Sequence, residues 1–421
     1  MGREVRKVPL FVVLAAVLIG ALALPAAAAE LTVEIFGAWR SENWRHIGQW
    51  LDGIAEEYER KYPGVTVNYV ASNGVEGLIL AAASGMSSPD VAIASVQWAR
   101  DAFDRGLLRP LNEYWERSPV GDLNFFPSAR IFNQKDGVIY GAPWSMEAYT
   151  IAYNADLFEQ AGLPIHPDAI GSWDEFLAAA RRLHRVDDAG NVVVGGIGIG
   201  LSFQQFASWL YANGGQFYTA DYSAVAFDSP QGRETIEFLA GLLVHQRVTG
   251  AGGLANFHAG RVAMTAHQLP AGAMLAEAPF RALQTDMPPG PSGTQRSTAT
   301  WSNMFTITTM SRQPDLGWAW IELMLSLEQQ EKLVEGFGYP VSAYREAYSS
   351  PVFIDALRRH PYIENTPRIL QSAGVWPFLG LPEVLRQGTA QQLLTAIARG
   401  EAEPVSTLGE IARLYNLAMQ Q

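Results

Sequence analysis

The chain has 421 residues, enough for two or three ordinary domains. Hydrophobic residues make up 48% and charged residues 17% of the sequence, a composition that predicts a large buried core and not a disordered chain. The formal net charge of −12 argues against nucleic acid or an anionic membrane as a partner, because both bind clustered lysine and arginine. The absence of cysteine excludes disulfides, thiolate metal sites, thiol nucleophiles and a lipid-modified N-terminal cysteine.

The N-terminal segment has the composition of an export signal. Basic residues within the first seven positions precede an almost purely apolar run from Val8 to Leu24, and Ala27–Ala29 supplies the small residues that a signal peptidase reads. We expect a signal peptide at 1–29, cleaved near Ala29, and a free periplasmic protein after cleavage. The alternative is an uncleaved anchor of a chemoreceptor or adhesin, because an apolar run of about 20 residues also spans a bilayer.

The mature chain begins with an alternation of strands and helices. An alternating, β-rich segment at 31–36 predicts a strand. Apolar residues at three- and four-residue steps then predict one face of a helix, namely Trp44, Ile47, Leu51, Ile54 and Tyr58. This helix must end before Pro63, which cannot continue it.

The same alternation continues to about residue 106. Strands are predicted at 65–70 and 91–94, and helices are predicted to end near Gly85 and Gly106, which suit a helix C-terminus. Three strands that alternate with three helices indicate a parallel, doubly wound sheet with helices on both faces.

Local signals place further elements in the rest of the chain. Asp136-Gly137 is a hairpin turn signal, and Ser172 to Glu175 is a capping box that opens a helix. The glycine-rich segment 195–200 predicts a strand that another backbone or a ligand approaches closely. Ser229-Pro230 opens another helix, and the chain from Pro314 onwards is mainly helical.

Motifs for catalysis are missing from the sequence. The seven histidines show no metal-binding spacing, the glycine-rich segment lacks the pattern of a phosphate loop, and no nucleophile elbow occurs. Glu56-Glu57 lies on a predicted solvated helix face. We therefore expect no catalytic residues, no metal and no cofactor, with a secreted glycosidase as an alternative because its two carboxylates can lie anywhere in the chain.

Six groups of short segments occur in an order that one known family shares. They are Leu31–Trp39 with Pro63–Val67, Ser88–Val91 with Gly106–Leu111, Asp136–Trp144 with Tyr153–Phe158, Ser172–Phe176, Phe257–Met264, and Gly338–Pro340. Each segment is a weak signal by itself, but together they extend over nearly the whole mature chain. The sequence resembles the family 1 extracellular solute-binding proteins, which include maltose and other oligosaccharide receptors.

The resemblance implies an α/β fold of the type II periplasmic-binding-protein class: two doubly wound lobes, a ligand cleft between them and a helical C-terminal portion. It implies an N-terminal lobe of 30–146 plus about 268–312. The C-terminal lobe would take about 147–267 plus about 313–421. The chain would cross between the lobes near Met146 to Tyr149 and again near Met264 to Gln268.

The implied function is solute capture for an ABC importer. Closure of the two lobes about a hinge would bury the solute, and the closed shape would be presented to the membrane permease. The expected partners are a small-molecule solute and the transmembrane subunits of the permease, and the expected state is a monomer.

The composition favours a sugar as the solute. The chain has 12 tryptophans, and a sugar ring stacks its apolar face on an aromatic plane while its hydroxyls require fixed donors and acceptors. The alternative is the same fold with a glycerophosphodiester or a polyamine.

Twelve residues are candidate solute contacts because of their positions. Most follow predicted strands at their carboxyl ends, where open α/β sheets bind ligands, or lie where the resemblance places the crossing and stacking residues. They are Trp39, Arg40, Gln97, Trp98, Trp144, Glu147, Tyr149, Gln204, Gln205, Trp301, Trp376 and Phe378. The family aromatic of the second crossing is replaced here by His267 and Gln268, which we expect to be presented to the solute instead.

Overall fold

One mixed β-sheet runs through the molecule. The computed structural model describes residues 29–40, 45–131, 133–166, 168–250, 252–269, 275, 277–335, 341–375 and 388–420. The strands are β1 (Ala29–Ile35), β2 (Val65–Ala71), β3 (Val91–Ser95), β4 (Gln134–Lys135), β5 (Val138–Ile139), β6 (Ala142–Asn154), β7 (Arg185–Val186), β8 (Val192–Val194), β9 (Ile197–Gly198), β10 (Thr249–Gly250), β11 (Met264–Leu269), β12 (Ala282–Thr285), β13 (Ala299–Ile307), β14 (Val341–Ser342) and β15 (Gly374–Val375).

Helices precede or follow most of these strands. They are α1 (Arg45–Lys61), α2 (Gly74–Ser84), α3 (Val96–Asp104), α4 (Asn112–Arg117), α5 (Pro127–Ile131), α6 (Ala155–Gln160), α7 (Trp173–Leu183), α8 (Phe203–Ala212), α9 (Pro230–Val244), α10 (Leu254–His258), α11 (Pro314–Met324), α12 (Leu327–Glu335), α13 (Pro351–Arg359), α14 (Thr366–Ser372), α15 (Ala390–Ala398) and α16 (Pro404–Met419).

The sheet joins a parallel part to an antiparallel centre. Within the described residues, eleven strands follow the order β10-β9-β11-β6-β13-β3-β1-β2, with β12 and β14 added to β6 and β15 added to β13. β1 is parallel to both β2 and β3, as the alternation of strands and helices predicts. β6 and β13 are antiparallel to each other, so the sheet is mixed and not parallel throughout.

The sequence signals for the first helix and its neighbours are confirmed. Ile47, Leu51 and Ile54 are buried on one face of α1, which ends at Lys61, two residues before Pro63. Trp44, the first residue of the predicted face, lies outside the described residues. The apolar face of α1 packs on the face of β1 that carries its buried aliphatic residues.

The predicted turn and helix starts are also present. The hairpin β4–β5 encloses the predicted Asp136-Gly137 turn. The Ser172 hydroxyl accepts a hydrogen bond from the Glu175 backbone N–H at 3.2 Å, and Ser229 caps α9 through the Gly232 N–H at 3.1 Å. These caps satisfy backbone donors that a helix start leaves unpaired.

The glycine-rich segment forms a shorter strand than predicted: Ile197–Gly198 is the strand, and Gly195 forms only an isolated bridge with Val262. The expected close approach of another backbone is present at Gly196. A Cβ at that position would lie 1.9 Å from the carbonyl oxygen of Ala180 in α7. Only glycine therefore allows α7 to pack this closely beside β9.

β6 connects the two halves of the sheet. Its first half pairs with β13 on one edge and with β14 on the other, and its second half pairs with β11 and β12. Thirteen residues long and buried along almost its whole length, it is the one described strand that belongs to both halves.

Three hydrophobic cores surround this sheet. The first core includes β1, α1 and α11, and the second is built largely from α7, α8 and α9 and extends to α3. The third core is smaller and packs α13 against the end of β6. The faces of β6 divide between the first two cores: Met146 and Ala148 belong to the first, and Tyr149 and Ile151 belong to the second.

The chain departs from the expected lobe boundaries in two places. α11 and α12, expected in the C-terminal lobe, pack against α1, and the hydroxyl of Tyr58 donates to the Leu316 carbonyl at 2.8 Å. Trp320 of α11 is fully buried in the first core. β12, expected in the N-terminal lobe, pairs with the second half of β6. The order of the motifs did not reveal these contacts, because they depend on which apolar faces fit together.

Candidate functional site

A mixed polar and aromatic face lies where β6, β13 and β11 meet. Paired residues on neighbouring strands project from the same face of a sheet. Three such pairs fall on one face: Ser145 with Asn303, Glu147 with Trp301, and Tyr149 with Gln268. We call these six residues the crossing face.

Glu147 occupies the middle of the crossing face. The Asn303 amide donates to its carboxylate at 3.2 Å and to the Ser145 hydroxyl at 3.1 Å, and Trp301 also hydrogen-bonds the carboxylate. Loss of hydration between these neighbours raises the pKa of Glu147 to about 7, although both hydrogen bonds oppose the rise. The carboxylate is thus held in one orientation, and Glu147 as a whole residue is half-buried.

Two aromatic rings flank this carboxylate. Tyr149 and Trp301 have ring centroids 6.4 Å apart and planes inclined by 51°, and each is less than one-tenth exposed. The Tyr149 hydroxyl hydrogen-bonds Gln268 and Ser202, and burial raises the pKa of Tyr149, so it stays protonated at neutral pH. Aromatic planes therefore stand beside fixed hydrogen-bonding groups.

Two helices begin at the crossing face. Ser95, which precedes α3, pairs with Asn303, and Ser202, which precedes α8, hydrogen-bonds Tyr149. The first turn of a helix has free N–H groups and a partial positive charge. The region thus combines a carboxylate acceptor with backbone, amide and hydroxyl donors, a set that suits a solute rich in hydroxyl groups.

Three further candidate contacts lie near these helix starts. Trp98, in the first turn of α3, is half-buried, and its indole nitrogen is 3.2 Å from the position that a Cβ on Gly74 would take. Gln204 and Gln205 lie in the first turn of α8. The Gln205 side chain accepts the Gly200 N–H at 3.2 Å, so it holds the loop before α8, whereas Gln204 is half-buried with no hydrogen bond from its side chain to a described residue.

Two predicted contacts are core residues instead. Trp144 is fully buried in the first core, and Trp39 is 3% exposed. Their rings meet edge to face at 5.3 Å, and Phe305 stacks on Trp144 at 5.3 Å. The side chain of Trp144 projects from the face of β6 opposite to Glu147, and Trp39 packs against it on that face. Both rings therefore belong to the first core and not to the crossing face.

The side chains of four predicted contacts are not among those that the structure describes. Trp376 and Phe378 lie outside the described residues, and so do the side chains of Arg40 and Gln97.

The two residues expected at the second crossing project from opposite faces of the sheet. Gln268 projects from the crossing face, whereas His267 pairs with Thr150 on the opposite face. The His267 Nδ1 donates to the Gln268 carbonyl at 2.8 Å, which leaves Nε2 to accept from the Thr150 hydroxyl at 2.9 Å. Burial lowers the pKa of His267 to about 4, so it is neutral and holds the two strands together.

Sequence reasoning missed Ser145, Asn303 and Ser202 as parts of this site. For Ser145 the signal is its alternation, together with Glu147, with the apolar residues Trp144, Met146 and Ala148. The pattern becomes informative only when the register that sets Asn303 opposite Ser145 is known.

A second buried carboxylate lies at the carboxyl end of β1. Glu34 is 4% exposed; one oxygen accepts the Asn73 N–H at 3.1 Å, and the other has no partner among the described residues. Burial raises its pKa from the ordinary 4.5 to about 7. An unpaired buried carboxylate oxygen is costly, so Glu34 is a strained element of the fold.

Two other kinds of site are absent from the described part of the chain. Its helices include none that is both long enough and apolar enough to cross a membrane. Nor do its histidines, aspartates and glutamates include a group of three or more that would hold a metal ion.

The sequence matches the profile of one protein family, described as the bacterial extracellular solute-binding proteins, over residues 43–331. The chain belongs to this family. The resemblance noted in the sequence is thereby confirmed.

Two relatives show local sequence similarity to this solute-binding protein. A binding protein of Brucella abortus is 28% identical over 173 residues, or 40% of this chain and 39% of that protein. An arabinooligosaccharide-binding protein of Halalkalibacterium halodurans is 30% identical over 172 residues, or 38% of this chain and 36% of the relative. The chain thus aligns with about two fifths of the length of these relatives.

Solved structures share the fold over nearly the whole chain. A cyclic α-maltosyl-1,6-maltose-binding protein of Arthrobacter globiformis superposes with a TM-score of 0.77 at 20% identity, covering 93% of this chain and 99% of that one. UgpB of Mycobacterium tuberculosis, in complex with glycerophosphocholine, superposes with a TM-score of 0.74 at 17% identity, covering 93% and 98%. The expected α/β fold of type II periplasmic binding proteins is confirmed.

The strain at Glu34 leads to a prediction about stability. The folded protein keeps Glu34 protonated up to about pH 7, whereas the unfolded chain ionises near 4.5, so folding loses stability as pH rises through this window. We expect Glu34→Gln to raise the free energy of unfolding by roughly 2 to 3 kcal/mol at pH 8, with little change at pH 4.5. Urea denaturation at the two pH values measures this.

The matched control is Glu56→Gln, which changes an exposed glutamate of α1 and should leave stability unchanged at both pH values. If the Glu34→Gln protein were less stable than the native one at pH 8, the prediction would be contradicted. The ionised carboxylate would then stabilise the fold through its contacts.

Proposed function

We propose that this protein captures a sugar at the crossing face and delivers it to the permease of an ABC importer. The observation that carries the proposal is the Glu147 carboxylate, oriented by Asn303 and Trp301 beside the ring of Tyr149. A carboxylate accepts two sugar hydroxyls, and the aromatic planes suit the apolar face of a sugar ring. Sugars are also what the relatives from Arthrobacter and Halalkalibacterium bind, according to their names.

Capture would proceed by closure of two halves about the central strands. β6 pairs with strands of both halves, so small changes in its backbone angles would move α3 against α8 across the crossing face. A solute that contacts the first turns of both α3 and α8 would stabilise the closed form. In the open form it would contact only one of the two helices. The closed monomer is what the permease would recognise.

We also propose that the protein is exported and cleaved near Ala29. The basic start, the almost purely apolar run and the small residues Ala27–Ala29 support removal of the preceding segment.

The charge of the site weighs against an anionic solute. None of the six residues of the crossing face is cationic, and Glu147 would repel a phosphate. A glycerophosphodiester, such as the ligand of the M. tuberculosis neighbour, is therefore disfavoured. A polyamine would tolerate the carboxylate but would leave the hydroxyl and amide groups without matching partners.

We infer binding without turnover. Glycosidases require two carboxyl groups about 5 to 10 Å apart across the scissile bond. Glu147 is the sole carboxylate among the six crossing-face residues, so this face lacks the second group.

The first test is a thermal-shift panel. We expect at least one mono- or oligosaccharide to raise the melting temperature and change the tryptophan fluorescence, because binding stabilises the folded state and alters the surroundings of Trp301. Incubation of that sugar with the protein should release no product by mass spectrometry. A panel in which sugars have no effect while a polyamine or a glycerophosphodiester raises the melting temperature would contradict the choice of sugar.

The second test is the pH dependence of solute affinity. A sugar hydroxyl that donates to Glu147 favours the ionised form, so affinity should be full above about pH 7 and fall by up to about tenfold per unit below it. His267 stays neutral in this range, and Glu34, whose pKa is also raised to about 7, hydrogen-bonds Asn73 and none of the six crossing-face residues. Isothermal titration calorimetry at pH 5.5 to 8.5 gives the profile.

Glu147→Gln should weaken binding about tenfold to a hundredfold at pH 8 and flatten the profile, because a charge-assisted hydrogen bond is lost. Glu56→Gln is the matched surface control and should retain the native profile. An unchanged profile in Glu147→Gln would mean that another group binds the proton.

A further inference from the structure

A polar cluster joins α14 to the second half of the sheet. The Arg368 guanidinium lies 2.9 Å from a carboxylate oxygen of Asp286 and 2.9 Å from one of Asp168. The Asn365 amide donates to Asp286 at 2.7 Å and accepts from the Gln284 amide at 3.0 Å. We call these five residues the Arg368 cluster. None of them belongs to the crossing face.

α14 belongs to the first half of the molecule. Its Ile369 and Leu370 are buried in the first core, where α14 contacts α5. Asn365 immediately precedes the helix and Arg368 lies three residues further on, a spacing that sets both side chains on one side of a helix. The helix therefore turns a polar side toward the second half and an apolar side into the first core.

The carboxylates of the cluster belong to the second half. Asp286 follows β12, which pairs with the second half of β6, and the adjacent Met287 is buried in the second core. Asp168 lies two residues before Ile170, which is also buried in the second core. The ion pairs of Arg368 with these two carboxylates thus cross from one half of the protein to the other.

The cluster lies behind the crossing face. Gln284 of β12 pairs with Ala152 of β6, so both side chains project from the same face of the sheet. Ala152 is three residues from Tyr149, and side chains alternate along a strand, so this face is opposite to the crossing face. A rotation of the two halves about β6 therefore changes the geometry of the crossing face and of the Arg368 cluster together.

The cluster is buried in part and incompletely paired. Asp286 is 3% exposed, and burial raises the pKa of its carboxyl although Arg368 and Asn365 oppose the rise. Oε1 of Gln284 and Oγ1 of Thr366 are buried without a hydrogen-bond partner among the described residues. Unpaired buried polar atoms are unfavourable, so a rotation that gave them partners would offset part of the cost of breaking the present bonds.

We propose that Arg368 is a positioning residue that sets the angle between the two halves and thereby the affinity for the solute. The inference rests on the proposed capture by closure about β6. The two ion pairs favour the arrangement in which Asp168 and Asp286 both lie within reach of one guanidinium. Closure changes that arrangement, so the strength of these ion pairs contributes to the free energy of closure. Arg368 acts from the opposite face of the sheet, without touching the solute.

The first measurement is the distance between two spin labels by pulsed electron paramagnetic resonance. The sequence has no cysteine, so Glu56→Cys in α1 and Glu237→Cys in α9 give one exposed labelling site on each half of the full mature chain. In Arg368→Met the distribution of label distances without sugar should broaden or shift relative to the native protein, because the ion pairs between the halves are lost.

The second measurement is titration calorimetry with maltose and with arabinobiose. For a probe that binds, the dissociation constant of Arg368→Met should differ from the native value by about threefold or more. It should be lower if the variant's label distances shift toward those of the sugar-bound native protein, and higher if they shift away. Arg368→Lys keeps the cation but not the planar fork, so it should lie between the native protein and Arg368→Met in both measurements.

A second variant covers the case in which Arg368→Met fails to fold because Asp286 is left buried without its cation. Asp168→Asn changes an exposed carboxylate and removes one of the two ion pairs, while Asp286 keeps its partner; it should change both measurements in the same direction, by less. The matched control is Arg358→Met, which removes an exposed arginine that pairs with Asp355 inside α13 and should behave like the native protein.

Native label distances in both Arg368→Met and Asp168→Asn would overturn the positioning role and leave sugar capture intact. Altered distances with an unchanged dissociation constant would overturn the link to affinity. Native protein whose label distances respond to neither probe nor to any sugar of the thermal-shift panel would contradict sugar capture by closure. The distances of the sugar-free variants would then still decide whether Arg368 sets the angle between the halves.

Discussion

The pairing of Glu147 with Trp301 across β6 and β13 is the constraint on which the rest of the site depends. This register sets the carboxylate opposite the indole and brings Asn303 opposite Ser145. The Asn303 amide can therefore hydrogen-bond both the Ser145 hydroxyl and the Glu147 carboxylate. A shift of either strand by one residue would turn these groups to the other face, into the first core. Because β6 also pairs with strands of both halves of the sheet, the strand that carries Glu147 is the one that connects the two halves.

The dehydration of the Glu147 carboxylate is unfavourable, and a hydrogen bond from a solute would offset it. Glu147 is partly dehydrated in the absence of solute, which raises its pKa to about 7. A hydroxyl that donates to it would restore a hydrogen bond that water otherwise supplies, at little cost in reorganisation, because Asn303 and Trp301 already fix the carboxylate. Such a preorganised group favours capture at low solute concentration.

Local signals in the sequence predicted elements better than they predicted contacts. The caps at Ser172 and Ser229 and the apolar face of α1 depend on neighbours a few residues away, so they were readable directly. Of the tryptophans proposed as contacts, Trp301 lies on the crossing face and packs in the second core, whereas Trp144 is fully buried in the first core. Trp144 projects from the face of β6 opposite to Glu147, and that face is covered by the first core. The sequence alone does not show which face of a strand is covered. The placement of α11 and α12 beside α1 depends likewise on long-range packing.

The measurement that tests the account most directly is a crystal structure of the protein with the solute that co-purifies with it. The account predicts a sugar ring whose hydroxyls are within hydrogen-bond distance of the Glu147 carboxylate and whose apolar face lies against Trp301 or Tyr149. A solute bound elsewhere, or one that touches none of these three residues, would contradict it.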